Sequence, residues 1–332
     1  MRRRLLALFT AVIIAALLCG CSRSEEPDDG KLKIVTTIFP AYDFARQVFG
    51  DKADITLLLK PGTESHSYDP SARDIVKIDG CDLFIYNGGE SDAWVDNMLK
   101  TTDEVNTLRM MSFVEVLEEE DLVGTEDHDH DEHDDEEYDE HIWTSPKNAA
   151  LIVDGIKNEA MRLDTENSDF YEQNAAYYTE KILDLDRRFG ELLAGESRYF
   201  VFADRFPLLY FFREYDLNYY ALFPGCSSET EPSAQTVAFL SERLNDDDVI
   251  PIVFKVELSS NNFARTLTAD NGLPYTEFHS CHNITADDFD AGESYVSLME
   301  RNYDILEFAV NWGTYYPEGG NLYGGVINHS DS

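Results

Sequence analysis

The chain has 332 residues, of which 65 are acidic and 26 are basic, so its formal net charge is −39 at pH 7. This charge excludes electrostatic binding to nucleic acid or to an anionic membrane, because both of those partners are also negative. It favours the attraction of cations instead. The length and the 12% aromatic content are sufficient for two domains with hydrophobic cores.

Residues 1–20 have the pattern of a secretory signal peptide. Three arginines at positions 2 to 4 precede an apolar stretch, 5–18, that is short for a membrane span. The sequence LCGC at 18–21 is typical of a lipobox, so Cys21 is the predicted lipidated first residue of the mature protein. Residues 21–30 would then be a tether, and acyl chains would anchor the protein outside the cytoplasm. An uncleaved anchor helix is the alternative.

From residue 31 the chain alternates apolar runs of strand length with helical periods. KLKIVTTIF, ADITLLL and DLFIYNG are predicted strands, whereas AYDFARQVF and ARDIVKI are predicted helices. Such apolar strands are typical of a parallel sheet covered on both faces, and ligands of these sheets bind beyond the carboxyl ends of the strands. We therefore predict an N-terminal α/β lobe at 31–145.

An acidic, histidine-rich run interrupts this lobe at 126–141. Eleven of its sixteen residues are acidic and four are histidines, which leaves too little apolar surface to join a core. Because imidazole suits zinc, a solvated loop at 126–140 is predicted to form weak metal sites with His128, His130 and His133. An acidic linker with incidental histidines is the alternative. His141 adjoins an apolar Ile-Trp pair and is expected to belong to a fixed site.

Residues 146–195 contain no strand-like run and are predicted to be linking helices. Pro146 favours a helix start, and the second piece has helical periodicity over about 25 residues, or about 38 Å. We expect this helix to be rigid. The alternation of strands and helices resumes at 196–315, which predicts a second α/β lobe, and residues 316–332 have the composition of a loose tail.

The order of signal, lobe, histidine-rich loop, linking helix and second lobe resembles the lipoprotein receptors of zinc and manganese ABC importers. The resemblance covers essentially the whole mature chain. Its sharpest segments are PGTESHSYDPSARDI from Pro61, FIYNGGESDAWVD from Phe84, DEHIWTSPKNA from Asp139 and NAAYYTEKILDLD from Asn174. It implies two similar lobes with a metal site in the cleft between them, and an ABC permease and ATPase as partners. We expect the receptor to be a monomer.

The resemblance implies His66 and His141 as metal ligands. Where the family usually has a histidine after the first strand of the second lobe, this sequence has Ala203, so that ligand is missing. His279 stands where the family has a late acidic ligand and is expected to restore a site with three histidines. The candidates for a fourth ligand are water or one of three carboxylates, Glu64, Glu229 and Glu231.

Two cysteines, Cys226 and Cys281, lie in loops expected at one edge of the cleft. In an oxidising compartment a disulfide between them is favoured, which would brace the loop that carries His279. A thiolate ligand from either is the alternative. His282 is expected to face solvent beyond this bridge, and Cys81 to be buried.

The leading functional hypothesis is a receptor that captures Zn²⁺ outside the cytoplasm and delivers it to an ABC importer. Mn²⁺ is the less favoured metal, because a manganese site would use more carboxylate. A surface adhesin-type lipoprotein is the alternative from another class. A zinc hydrolase is disfavoured because the sequence has no HExxH-type motif, and we predict that the protein is not an enzyme.

Overall fold

Two four-stranded parallel sheets form the framework of the protein. A computed structural model describes residues 30–63, 68–100, 102, 105–120, 122, 138–225, 231–269 and 272–312. By its contacts the chain divides after Lys31, and every element below belongs to the second unit. The predicted signal peptide and most of the tether, together with the predicted tail, lie outside the described residues.

The first sheet has the strand order β2-β1-β3-β4. Its strands are β1 (Leu32–Thr36), β2 (Ala53–Leu57), β3 (Leu83–Tyr86) and β4 (Thr107–Arg109). All of its pairs are parallel, with Ile34 of β1 opposite Ile55 on one side and Leu83 on the other. Every residue of β3 is buried, as expected for a central strand covered on both faces.

The second sheet repeats this arrangement in the order β6-β5-β7-β8. Its strands are β5 (Tyr199–Phe206), β6 (Asn218–Pro224), β7 (Val249–Lys255) and β8 (Tyr275–Glu277). These pairs are also parallel. In both sheets the first strand along the chain lies second in the order, so the prediction of two similar α/β lobes is confirmed.

Helices cover the sheets and connect them. They are α1 (Phe39–Phe49), α2 (Ala72–Asp79), α3 (Ala93–Leu99), α4 (Pro146–Leu163), α5 (Ser168–Leu193), α6 (Leu209–Glu214), α7 (Ala234–Arg243), α8 (Asn262–Ala269), α9 (Ala286–Ala291) and α10 (Tyr295–Val310). None of the helices in the described ranges is both long and apolar enough to span a membrane.

The linking helix α5 has 26 residues and is therefore about 39 Å long. Its buried residues recur at three and four along one face, from Tyr171 through Tyr178 to Leu193. This face packs against α1, α4 and α10, so one helix contacts elements of both lobes. The predicted long link is confirmed.

A buried carboxylate fastens three of these helices together. Asp43 of α1 is fully buried and accepts a short hydrogen bond from the Tyr178 hydroxyl of α5. It also accepts from the backbone N–H of Tyr295, at the start of α10, at 2.9 Å. Arg46, one turn along α1, lies 2.6 Å from its other oxygen. A single side chain therefore fixes the linking helix to both lobes.

The amino-terminal end of α4 is fixed by its sequence. The Ser145 hydroxyl accepts from the backbone N–H of Asn148 at 3.2 Å, and Pro146 supplies the preset backbone angle of a first helical residue. A short 3₁₀ turn, Ile142–Thr144, leads into this cap. His141 directly precedes this turn, so the capped start of α4 fixes the position of the His141 backbone.

Candidate metal centre

His141 and His282 come from different lobes and lie against each other. Their ring centroids are 5.2 Å apart and their planes are inclined by 76°. Two imidazoles on one tetrahedral zinc ion, with Zn–N bonds of about 2.05 Å and ring centres about 1.1 Å beyond each nitrogen, have centroids about 5.1 Å apart. The observed separation therefore fits a shared zinc ion.

The orientation of the His141 ring is controlled by a neighbouring carboxylate. His141 is fully buried, and its Nδ1 lies 3.2 Å from Oδ1 of Asp139, which also accepts from the His141 backbone N–H at 2.7 Å. The Tyr210 hydroxyl in turn donates to the Asp139 carbonyl at 2.9 Å. A carboxylate that accepts from Nδ1–H leaves the lone pair on Nε2, which is the usual arrangement in zinc-bound histidine.

Both rings line a cavity of about 300 Å³ at the carboxyl edge of the second sheet. Asp204 near the end of β5, Gly225 after β6 and Glu257 after β7 line its other walls. Burial raises the pKa of Asp204, whose oxygens accept from the backbone of residues 205 and 256. The site thus lies where parallel sheets bind their ligands.

In the described part of the chain, no group of three or more His, Cys, Asp or Glu side chains is arranged to hold a metal ion. His66, predicted as a ligand, lies outside the described residues. The chain leading to it is nevertheless tied to the loop of His282, because the Asn283 amide donates to the Thr63 carbonyl at 2.6 Å. Thr63 lines the cavity, so the cavity wall begins three residues before His66.

The structure gives His279 a role that differs from the prediction. It is not among the described residues that line the cavity, and its Nδ1 accepts from the backbone N–H of Cys281 at 2.9 Å. In a neutral ring that accepts at Nδ1, the hydrogen is on Nε2, which then has no lone pair for a metal. The Asn302 amide clamps the main chain of His279 through two hydrogen bonds of 2.8 Å. This geometry disfavours His279 as a ligand.

The expectation that His282 faces solvent is wrong. Only 8% of this residue is exposed, and its ring contacts both His141 and Trp143, whose centroid is 5.1 Å away. The indole Nε1–H of Trp143 donates to the Ser280 carbonyl at 2.8 Å, which holds the second-lobe loop against the first lobe. The histidine that reaches the cavity is therefore three residues further along the chain than predicted.

Ala203 offers no ligand, as the sequence indicated, because it is a buried residue of β5. The predicted fourth ligands are not at the cavity in the described residues. Glu231 is exposed, while Glu64 and Glu229 lie outside the described ranges. The weak loop sites, His128, His130 and His133, and the lipidation site Cys21 also lie outside them.

The predicted disulfide is not supported. Cys281 is a free thiol that is fully buried, and burial raises its pKa well above its ordinary value. It is not among the described residues that line the cavity, which disfavours it as a ligand. Cys226 lies outside the described residues. Gly225, directly before it, lines the cavity, and a Cβ there would lie 3.1 Å from Asp139 Oδ2 and 2.9 Å from a backbone oxygen. Cys81 is a free, half-buried thiol.

A second buried carboxylate supports the segment that carries His141. Asp92 accepts from the backbone N–H groups of Asn87 and Gly88 at 2.8 and 3.0 Å, while the Asn87 amide donates to the Glu140 carbonyl at 2.8 Å. Burial, with the nearby Glu140 carboxylate, raises the pKa of Asp92 to about 6. Folding therefore favours its protonated form, and the stability that this protonation gives is lost as the pH rises through 6.

We expect Asp92→Asn to stabilise the protein increasingly as the pH rises. The asparagine oxygen can still accept the two backbone hydrogen bonds, and because the amide is neutral at every pH, no charge has to be buried. Relative to the parent, the free energy of unfolding of the variant should rise by about 2 kcal/mol between pH 4 and pH 7.5. Urea unfolding at several pH values measures this difference; a difference that does not vary with pH would contradict the assigned cause.

Known proteins resemble this chain along most of its length. The profile of the ZnuA family, zinc-uptake complex component A periplasmic, matches residues 34–309. The zinc-binding lipoprotein AdcA of Streptococcus pneumoniae (strain ATCC BAA-255 / R6) is 34% identical over 308 residues, which are 91% of this chain and 60% of that protein. The high-affinity zinc uptake system protein ZnuA of Bacillus subtilis (strain 168) is 30% identical over 310 residues, 91% of this chain and 96% of that one.

The fold is shared with a solved zinc-bound structure. The Zn(II)-bound ZnuA-like domain of Streptococcus pneumoniae AdcA superimposes with a TM-score of 0.69 and 32% sequence identity, covering 84% of this chain and 99% of that domain. This chain spans about 60% of the length of the AdcA proteins that it matches. The family profile covers most of the described chain. The protein therefore belongs to the ZnuA family of zinc-uptake components.

Proposed function

We propose that this protein captures Zn²⁺ outside the cytoplasm and delivers it to an ABC importer formed by a permease and an ATPase. The observation that carries the proposal is the pair His141 and His282, whose ring separation fits a shared zinc ion. The names of the similar proteins, a zinc-binding lipoprotein and a zinc uptake protein, support it. The ion is cargo, and the proposal includes no catalytic step.

The proposed ligands are His66, His141 and His282. Each lobe then contributes to the site, since the first two belong to the first lobe and His282 to the second. A water molecule or Cys226, whose neighbour Gly225 lines the cavity, completes the tetrahedron. This nitrogen-rich set favours Zn²⁺ over Mn²⁺, which prefers carboxylate oxygens.

Competition titration of the protein lacking residues 1–21 tests this proposal. We expect one tight Zn²⁺ site, and we expect Mn²⁺ to compete poorly for it. Zinc must displace protons from imidazole, so the affinity should fall as the pH decreases below about 6.5. Weak binding only, or a preference for Mn²⁺, would show that the proposed function is wrong.

Deletion of residues 126–137 is expected to separate the tight site from weaker ones. The deleted segment contains three histidines and most of the acidic run, but it leaves Asp139 and His141 in place. The deletion should remove weak Zn²⁺ binding and change the affinity of the tight site by less than threefold. Isothermal titration calorimetry distinguishes the two classes, and loss of the tight site from a folded deletion variant would place the loop in the primary site.

We also propose that acyl chains on Cys21 anchor the protein to the membrane. Changing Cys21 to Ala should release the protein into the soluble fraction, because no lipid can then be attached at that position. Fractionation of cells that produce the full-length chain measures the distribution. Retention of a fully processed Ala variant in the membrane would contradict the lipobox assignment.

A further inference from the structure

Glu257, directly after Val256 beyond the end of β7, is a buried carboxylate that the ligand set above does not use. Its side chain is 5% exposed. Oε2 accepts from the backbone N–H of Ser280 at 2.7 Å, and Oε1 accepts from the Ser280 hydroxyl at 2.6 Å. Oε1 also accepts from the backbone N–H of His282 at 3.2 Å. One carboxylate thus receives three hydrogen bonds from the loop that carries His282.

This loop, 279–282, is held by side chains and not by a regular turn. Four consecutive backbone N–H groups donate to side chains: residue 279 to Asn302, residues 280 and 282 to Glu257, and residue 281 to the His279 ring. Each bond is between 2.7 and 3.2 Å. The loop conformation is therefore specified at every amide.

The conformation that these bonds enforce is unfavourable for the residue at its centre. Cys281 has a φ of +63°, in the left-handed region that residues with a side chain rarely adopt. Such a conformation persists only where its surroundings over-determine it. Glu257 bonds to the residues on both sides of Cys281, so it is placed to stabilise this conformation and with it the direction of the His282 ring.

We propose that Glu257 is a positioning residue that holds His282 opposite His141 before the metal arrives. This inference rests on the proposed zinc site. The carboxylate does not ligate the ion itself; its two oxygens accept from the loop. Preorganisation of this kind raises affinity because the ion does not have to order the loop when it binds.

The first test compares Glu257→Gln with Glu277→Gln. The glutamine side chain replaces one carboxylate oxygen by an NH₂ group that faces a donor of the loop, so Zn²⁺ affinity should fall 10- to 100-fold, the usual effect of losing an outer-shell partner. Glu277 pairs with Lys255 at 2.7 Å, and no hydrogen bond joins its side chain to the loop among the described residues, so the same loss of charge there should change affinity less than twofold. Parental affinity in Glu257→Gln would overturn the proposal.

A second pair of measurements separates positioning from ligation. Saturated with Co²⁺, Glu257→Gln should keep the parental visible spectrum, because the ligands are unchanged; an altered spectrum would identify Glu257 as a ligand. Adding Cys281→Gly to Glu257→Gln should raise the Zn²⁺ affinity at least fivefold over that of Glu257→Gln alone, because glycine adopts a positive φ without strain. Absence of any restoration would contradict the positioning role.

Two controls keep the result interpretable. Ser280→Ala removes one of the three donors and leaves the carboxylate intact, so it should weaken Zn²⁺ binding a few-fold even if Glu257→Gln does not fold; parental affinity in this variant would count against the proposal. If the parent protein itself shows no tight Zn²⁺ site, the proposed function fails. If the parent protein binds Zn²⁺ tightly and the Glu257 and Ser280 variants bind it equally well, the positioning role of Glu257 fails and the proposed function stands.

Discussion

Changing His282 to Asn should weaken Zn²⁺ binding by about a thousandfold, or about 4 kcal/mol, because an under-coordinated zinc ion loses a large share of its binding free energy. The same change at His279 should alter the affinity less than fivefold. Asparagine at 279 can still accept from the Cys281 N–H through its side-chain oxygen, the bond that the imidazole makes now. Competition titration with a chromophoric chelator measures both variants.

These two variants discriminate between His279 and His282 as the ligand from the second lobe. The sequence alone favoured His279, whereas the structure brings His282 to His141 and to the cavity. A large loss in His279→Asn together with parental affinity in His282→Asn would restore the first assignment. Thermal unfolding without metal should be recorded for both, since His279 supports the loop and its replacement can lower stability without touching the ion.

Replacing Asp43 by Ala should destabilise the protein by about 3–4 kcal/mol. The change leaves the Tyr178 hydroxyl and the Tyr295 N–H without the acceptor that they share, and it removes the carboxylate partner of Arg46. Loss of one member of a buried pair is expensive because the other groups remain desolvated. Urea unfolding measures the change in the free energy of unfolding.

The matched control is Asp184→Ala, on the exposed face of the same linking helix that carries Tyr178. Asp184 pairs with Arg187 at 2.7 Å, but both side chains are more than half exposed. Exposed pairs contribute little, so this variant should lose less than about 0.5 kcal/mol. Equal losses in the two variants would show that Asp43 does not fasten the helices as described.

Most of the fold follows from patterns that the sequence displays. Apolar runs such as those of β1 and β3 predict parallel strands, because a strand that is buried on both faces is apolar at nearly every position. The apolar period from Tyr171 to Leu193 predicts the long link, because a helix that is buried along one stripe is apolar at every third or fourth position. The identical strand order of the two sheets depends on contacts between distant segments, and it is observed only in the folded structure.

The proposed metal centre could be predicted less completely. The sequence singles out His141 because it stands at the end of the acidic run, directly before the apolar residues Ile142 and Trp143, and the structure buries all three. His279 and His282 are three residues apart in one irregular loop, and the choice between them depends on a positive φ at Cys281, which no periodicity reveals. Glu257 could have been noticed, because it follows an apolar strand at the edge where parallel sheets bind ligands.

The central claim, that His141 and His282 share one zinc ion, is tested most directly by anomalous diffraction at the zinc edge from crystals of the zinc-loaded protein. We expect one strong peak in the cleft, about 2.05 Å from a ring nitrogen of each of these histidines, with the His66 ring as the third ligand. A single strong peak that contacts His279, or that lies away from His141 and His282, would contradict the account.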